Sequence, residues 1–119
     1  RGIVTAVDSW CEDVCLYPER GNRIYNEFLY YTKKFNNLKV LKMSSLQAKE
    51  LLQDKKFDMV FIDANHEYEF CKKDIEYWYG NAVKIICGHD IAFDTVKRAV
   101  DEKLESYEVN DDIWYKRIL

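Results

Sequence analysis

Short apolar runs and longer helical repeats alternate along the chain. Ile3-Val4-Thr5-Ala6-Val7 is a short β-rich run ending in Asp8-Ser9, and it predicts a strand buried on both faces, as parallel strands are. After Pro18 and Gly21, the residues Ile24, Phe28, Tyr31 and Phe35 recur at spacings of four, three and four. That period predicts one face of a helix, stopped at Asn36-Asn37. Leu38 to Leu41 reads as a second strand, and Ser44-Ser45 as the cap of a short helix through Leu46, Ala48, Leu51 and Leu52. Phe57-Asp58-Met59-Val60-Phe61-Ile62 is a strongly apolar strand with Asp63 at its end and the polar loop Asn65-His66-Glu67 behind it. Tyr68, Cys71, Ile75 and Trp78 return to helical spacing until Gly80-Asn81, and Val83 to Cys87 is a fourth strand, closed by Gly88-His89-Asp90. Phe93, Val96, Val100 and Leu104 mark a fourth helix. Tyr107 to Val109 and Ile113 to Ile118, split by Asp111-Asp112, predict an antiparallel hairpin.

Strand and helix therefore alternate four times before the final hairpin, which is the pattern of an α/β sheet with right-handed crossovers. In open α/β sheets, ligands bind beyond the carboxyl ends of the strands. Three of the four ends here carry acidic or acidic-plus-histidine residues: Asp8, Asp63 and His89-Asp90.

Composition narrows the class. The 119 residues are 48% apolar and 33% charged, which suits one soluble core, and a net charge of −3 provides no bulk positive field for nucleic acid. No apolar run approaches the roughly 18 residues of a membrane span. Lys33-Lys34 and Lys55-Lys56 read as solvated surface without an interleaved aromatic platform. Tyr30-Tyr31 and Tyr77 to Tyr79 are tyrosine-rich stretches that would suit an interface, including that of a homo-oligomer. Cys11, Cys15, Cys71 and Cys87 form no C-x2-C pair and lie mostly in apolar patterns, so they read as reduced, buried thiols of a cytoplasmic chain, with a Cys11–Cys15 redox or metal pair as the alternative.

Asp63 and His66 lie beyond one strand and His89-Asp90 beyond the next. Adjacent parallel strands would bring all four together, and both histidines of the chain fall in this set. Carboxylates with an imidazole can hold a divalent cation such as Mg²⁺, and an imidazole can act as a general base near neutral pH. The plainer alternative is a pair of aspartate helix caps beside solvated histidines. Asp8 is placed to accept hydrogen bonds from a ribose diol or to cap a turn. Trp10, in the loop after it, is placed to cover a ligand. Ser44-Ser45 would bond an adenine edge or cap the helix, and capping is the simpler use.

The stretches VTAVDSW, FDMVFIDANHEYEFCKKDIEYW and IICGHDIAFDTVKRAVDE resemble class I S-adenosylmethionine-dependent methyltransferases, and most closely their small-molecule and sugar O-methyltransferase branch. The resemblance runs from about Ile3 to Glu102. It implies a Rossmann-like, mostly parallel sheet with a C-terminal antiparallel hairpin, spanning residues 1–119 as one domain. It also implies S-adenosylmethionine as cofactor, held by Asp8, Ser9, Trp10, Ser44, Ser45 and Asp63. His66 and Asp63 would be catalytic, with His66 taking the proton of an acceptor hydroxyl. Asp63, His89 and Asp90 would be metal ligands, although His89 stands where relatives have Glu or Asp, a poorer partner for Mg²⁺.

The acceptor implied is a small molecule or sugar, with no membrane and no nucleic acid involved. The family has one more strand before the first, ending in a Gly-rich turn, and no G-x-G occurs among Gly2, Gly21, Gly80 and Gly88. The sheet is therefore expected to lack its first strand, leaving a gap between the strands that end at Asp8 and Asp63. Two other readings follow from the same residues: a non-catalytic interaction domain that keeps the sheet but not the cofactor cradle, and a metal-dependent hydrolase using Asp63, His66, His89 and Asp90.

Overall fold

The computed structural model describes residues 2–10, 18–63 and 65–119. Cys11 and Cys15 lie outside the described residues. The chain divides into two compact units, Arg1–Leu51 and Leu52–Leu119.

In the first unit, β1 (Val4–Asp8) and β2 (Leu38–Lys42) pair in parallel, with Val4 opposite Leu38 and Asp8 opposite Lys42. Helix α1 (Pro18–Thr32) connects them, and α2 (Ser45–Leu52) follows. Both helices occur where the periodicity predicts, but the packed face of α1 differs from the predicted stripe. Gly21 is buried, Tyr25 and Phe28 are half-buried, and Trp10 packs its ring on both aromatics at centroid distances of 4.7 and 5.2 Å. The inward face thus runs Gly21, Tyr25, Phe28, Thr32, while Ile24, Tyr31 and Phe35 are exposed. The two stripes share Phe28 and are offset by three positions, a turn of about 60° around the helix axis. Trp10, a buried residue closing on two rings, selects between them.

The second unit holds β3 (Phe57–Ile62), α3 (Tyr68–Trp78), β4 (Ala82–Gly88), α4 (Asp94–Lys103), β5 (Glu108–Asn110) and β6 (Ile113–Arg117). Its sheet order is β3-β4-β6-β5, with β3 and β4 parallel and β6 antiparallel to both β4 and β5. The antiparallel hairpin at the C-terminal end is the one the resemblance implies. Among the described residues no ladder joins the two sheets.

The core of this unit lies where the helical stripes meet one sheet face. Cys71 and Ile75 of α3, Val96, Ala99 and Val100 of α4, Ile86 of β4 and Trp114 of β6 are buried together, with Val60 and Ile62 against them. Gly88 is required there by close approach. A Cβ at this position would sit 2.5 Å from the Trp114 ring and 2.6 Å from the Ile62 carbonyl oxygen. Asn81 is fully buried, and its amide donates to the carbonyls of Leu52 and Lys55 at 3.1 and 2.7 Å, tying the entry of β3 to the entry of β4. Cys71 and Cys87 are free, buried thiols; burial, helped by nearby Asp74, pushes the Cys71 thiol up to about 11. No helix among the described residues is long and apolar enough to cross a membrane.

Candidate functional site: a histidine-aspartate cluster at the ends of β3 and β4

Register builds the site. Ile62 lies opposite Gly88 in the parallel β3–β4 pair, and the His89 N–H donates to the Ile62 carbonyl at 3.2 Å, extending the pairing one residue past β4. Asp63 and His89 therefore leave the sheet side by side. Asp90 turns the chain in the left-handed region at φ 63°, which Asp tolerates better than most side chains, and its carbonyl accepts the Phe93 N–H at 3.0 Å.

The Asp90 carboxylate faces two imidazoles. Its Oδ2 lies 2.6 Å from His66 Nε2, and its Oδ1 lies 3.1 Å from His89 Nδ1. Asp63 Oδ1 is 3.9 Å from His89 Nδ1, and Asp112 Oδ2 is 3.6 Å from His89 Nε2. The Asp90 side chain is 15% exposed and that of His66 44%, so the pair is anchored at the carboxylate and open at the imidazole. The contact takes up Nε2 and leaves Nδ1 as the ring nitrogen not turned to Asp90.

The His66 loop is fixed from two sides. The Glu67 N–H donates to Asn65 Oδ1 at 2.7 Å in an Asx turn leading into α3. From α4, Thr95 Oγ1 donates to the His66 carbonyl at 2.6 Å, and the Phe93 ring, preceding the helix, stacks on the His66 ring with centroids 4.8 Å apart. Asp112 is a member of the cluster that the sequence reading treats only as a turn. Its Oδ1 accepts the Ala92 N–H at 3.0 Å, and its carbonyl accepts the Ile91 N–H at 3.4 Å, which docks the β5–β6 turn onto the β4–α4 loop. A bond spanning twenty residues leaves no local signal in the sequence.

In the first unit, Asp8 ends β1 with an exposed carboxylate whose Oδ1 accepts the Trp10 N–H at 2.7 Å. Ser9 is half-buried between them. Trp10 itself takes a left-handed φ of 50° and is buried against Tyr25 and Phe28. Ser44 forms a capping box with Gln47: its hydroxyl accepts the Gln47 N–H at 3.2 Å, and Gln47 Oε1 accepts the Ser44 N–H at 3.0 Å. Ser45 is the first residue of α2.

An exposed carboxylate at the carboxyl end of a parallel strand matches the ribose diol of a nucleoside cofactor. For a cation, Asp63, His89 and Asp90 offer donor atoms within 4.8 Å of one another, but one of the three is an imidazole, a poor ligand for Mg²⁺. The set does not fit Mg²⁺.

The sequence profile of a family described as a methyltransferase domain matches residues 1–91, and the chain belongs to that family, the class I S-adenosylmethionine-dependent methyltransferases. Among solved structures, the chain matches the Methanococcus jannaschii fibrillarin pre-rRNA processing protein with a TM-score of 0.56 at 15% identity, over 96% of this chain and 54% of that one. It matches a fibrillarin/Nop5p complex with a TM-score of 0.53 at 15% identity, over 98% and 60%. This likeness is one of fold, and the chain spans only a little over half the length of those structures. No curated protein matches the chain. The neighbours correct the expected partners, a small-molecule or sugar acceptor and no nucleic acid: the proteins that share this fold are named for pre-rRNA processing and for a complex with a second protein.

Proposed function

We propose that residues 1–119 act as one methyltransferase domain that moves the methyl group of S-adenosylmethionine to a hydroxyl of an RNA, within an assembly that includes a protein partner. The RNA and the partner are suggested by the names of the fold neighbours. The observation that carries the chemistry is the 2.6 Å His66–Asp90 pair at the carboxyl ends of adjacent parallel strands.

S-adenosylmethionine, when bound, supplies an electrophilic methyl group on a sulfonium centre. Asp8 would accept the ribose hydroxyls, with Ser9, Trp10, Ser44, Ser45 and Asp63 as further cofactor contacts. His66 would take the proton of the acceptor hydroxyl at Nδ1 as the oxygen–methyl bond forms and the sulfur–methyl bond breaks, and then release it to solvent. Asp90 would hold the ring and balance the imidazolium. His89, 3.1 Å from Asp90 Oδ1 at its Nδ1, would keep Asp90 in place. Free, buried Cys71 and Cys87 are consistent with a reducing compartment such as the cytoplasm.

The test is transfer of a labelled methyl group from S-adenosylmethionine to RNA. His66→Gln should lower the rate by about 10²–10⁴-fold, the usual contribution of a general base, with S-adenosylhomocysteine affinity unchanged. An unchanged rate would remove His66 from the chemistry, and absence of transfer by the wild-type protein would overturn the activity.

A further inference from the structure

The end of α1 carries an arrangement that the proposed chemistry does not use. Tyr30 and Tyr31 are 63% and 70% exposed and meet edge to face with centroids 5.3 Å apart. Phe35, just past the helix, is 51% exposed. Lys33 Nζ lies 4.4 Å from the centre of the Tyr30 ring, and Lys34 Nζ lies 5.2 Å from that of Phe35. Three open rings and two ammonium groups thus share six consecutive residues. This corrects the reading of Lys33-Lys34 as a pair without neighbouring aromatics. Assigning Tyr31 and Phe35 to the packed stripe hid them, and the observed rotation of α1 turns both outward.

The burial of Trp10, Tyr25 and Phe28 already closes the inner face of α1, so the outward rings contribute little to that packing. Exposed rings offer π faces on which bases of any identity stack, and adjacent lysines neutralise the phosphates between those bases. Charge agrees with this use: residues 1–51 contain eight Lys/Arg and six Asp/Glu, whereas residues 52–119 contain ten and fifteen. A lipid surface fits less well, because Asn26, Glu27, Asn36 and Asn37 flank the rings and no continuous apolar face is formed.

We infer that Tyr30, Tyr31, Lys33, Lys34 and Phe35 form a binding platform for single-stranded RNA. As the docking surface of an RNA acceptor, the platform rests on the function proposed above, but its binding can be measured without methyl transfer. The platform reads stacking and backbone charge rather than sequence, so it holds unpaired segments in preference to duplex.

The experiment is fluorescence anisotropy of the whole chain with a labelled single-stranded RNA of about 15 nucleotides, the scale of one such site, against a duplex of the same sequence. Tyr30→Ala with Tyr31→Ala should weaken single-strand binding about tenfold or more, and Tyr30→Phe with Tyr31→Phe should restore it because the π faces return. Lys33→Gln with Lys34→Gln should reduce the slope of log affinity against log salt by about 1.4, from about 0.7 per phosphate contact. Unchanged affinity in the alanine variant, no RNA binding by the wild type, or binding to anionic vesicles in place of RNA would overturn the platform. RNA binding lost in the alanine variant, with no methyl transfer by the wild type, would uphold the platform and overturn the proposed activity instead.

Discussion

The two units of this chain solve the burial problem differently. In residues 52–119, twelve apolar residues are buried, and Trp114, Ile75, Ile86 and Val100 have almost no exposed surface. Among the described residues of 1–51, only Trp10 and Ala48 join that class, while Ile3, Tyr30, Tyr31 and Leu51 are all more than half exposed. The charge divides the same way, acidic on the packed unit and basic on the open one. A site that must hold a proton acceptor in register needs neighbours that cannot shift, and the packed unit provides them. A surface that grips a flexible strand needs accessible rings and cations, and the open unit provides those.

The largest expected effect that sharpens this contrast is on Trp114. At 1% exposure, with its ring against Gly88, Trp114→Ala should cost about 3–5 kcal/mol and lower the urea midpoint of the 52–119 unit. A loss below about 1 kcal/mol would mean that this core is not the stabilising element. Asn81→Ala comes next, at about 2 kcal/mol, because the fully buried amide and its hydrogen bonds to the Leu52 and Lys55 carbonyls are lost. Thermal denaturation checks it. Tyr31→Ala, on the open unit, should change stability by less than about 0.5 kcal/mol, as exposed positions do.

The smallest effect is on acid stability and belongs to the packed unit. Hydrogen bonds from Lys103 to Glu76, from Lys97 and Tyr107 to Asp101, and from Tyr68 to Glu102 hold these carboxyls below their ordinary values of 4.5, 3.8 and 4.5. The unfolded chain therefore binds protons at higher pH than the folded one. The stabilisation is complete above about pH 5 and is lost as pH falls through the folded values. Because the groups are solvent-exposed, the shift in midpoint should be slight and should shrink further in high salt. Urea titrations at pH 6 and pH 3 measure it, and equal midpoints would count against these bonds.

Much of the fold was legible in residue spacing, because helices and strands bury stripes of different period. Cys71, Ile75 and Trp78 on α3 and Val96, Val100 and Leu104 on α4 are buried as their spacing predicts. On α1 the period was legible but the phase was not, since two overlapping aromatic stripes share Phe28 and only the position of Trp10 chooses between them. At the candidate site, Asp63, His66, His89 and Asp90 could be gathered from strand order alone, and the structure brings them together. Asp112 and Phe93 reach the cluster through tertiary contacts, a backbone bond from Ala92 and a ring stack on His66, which no local pattern encodes. Ser44 shows the opposite case: the capping box with Gln47 is fully written in the S-x-x-Q spacing.

The central claim is that the general base and the RNA platform reside in different units, and steady-state methyl transfer to RNA by two variants tests it most directly. His66→Gln should lower kcat with the RNA KM unchanged, while Tyr30→Ala with Tyr31→Ala should raise the RNA KM about tenfold and leave kcat at saturation intact. If both variants moved the same parameter, or if His66→Gln left kcat untouched, the division of labour would be contradicted.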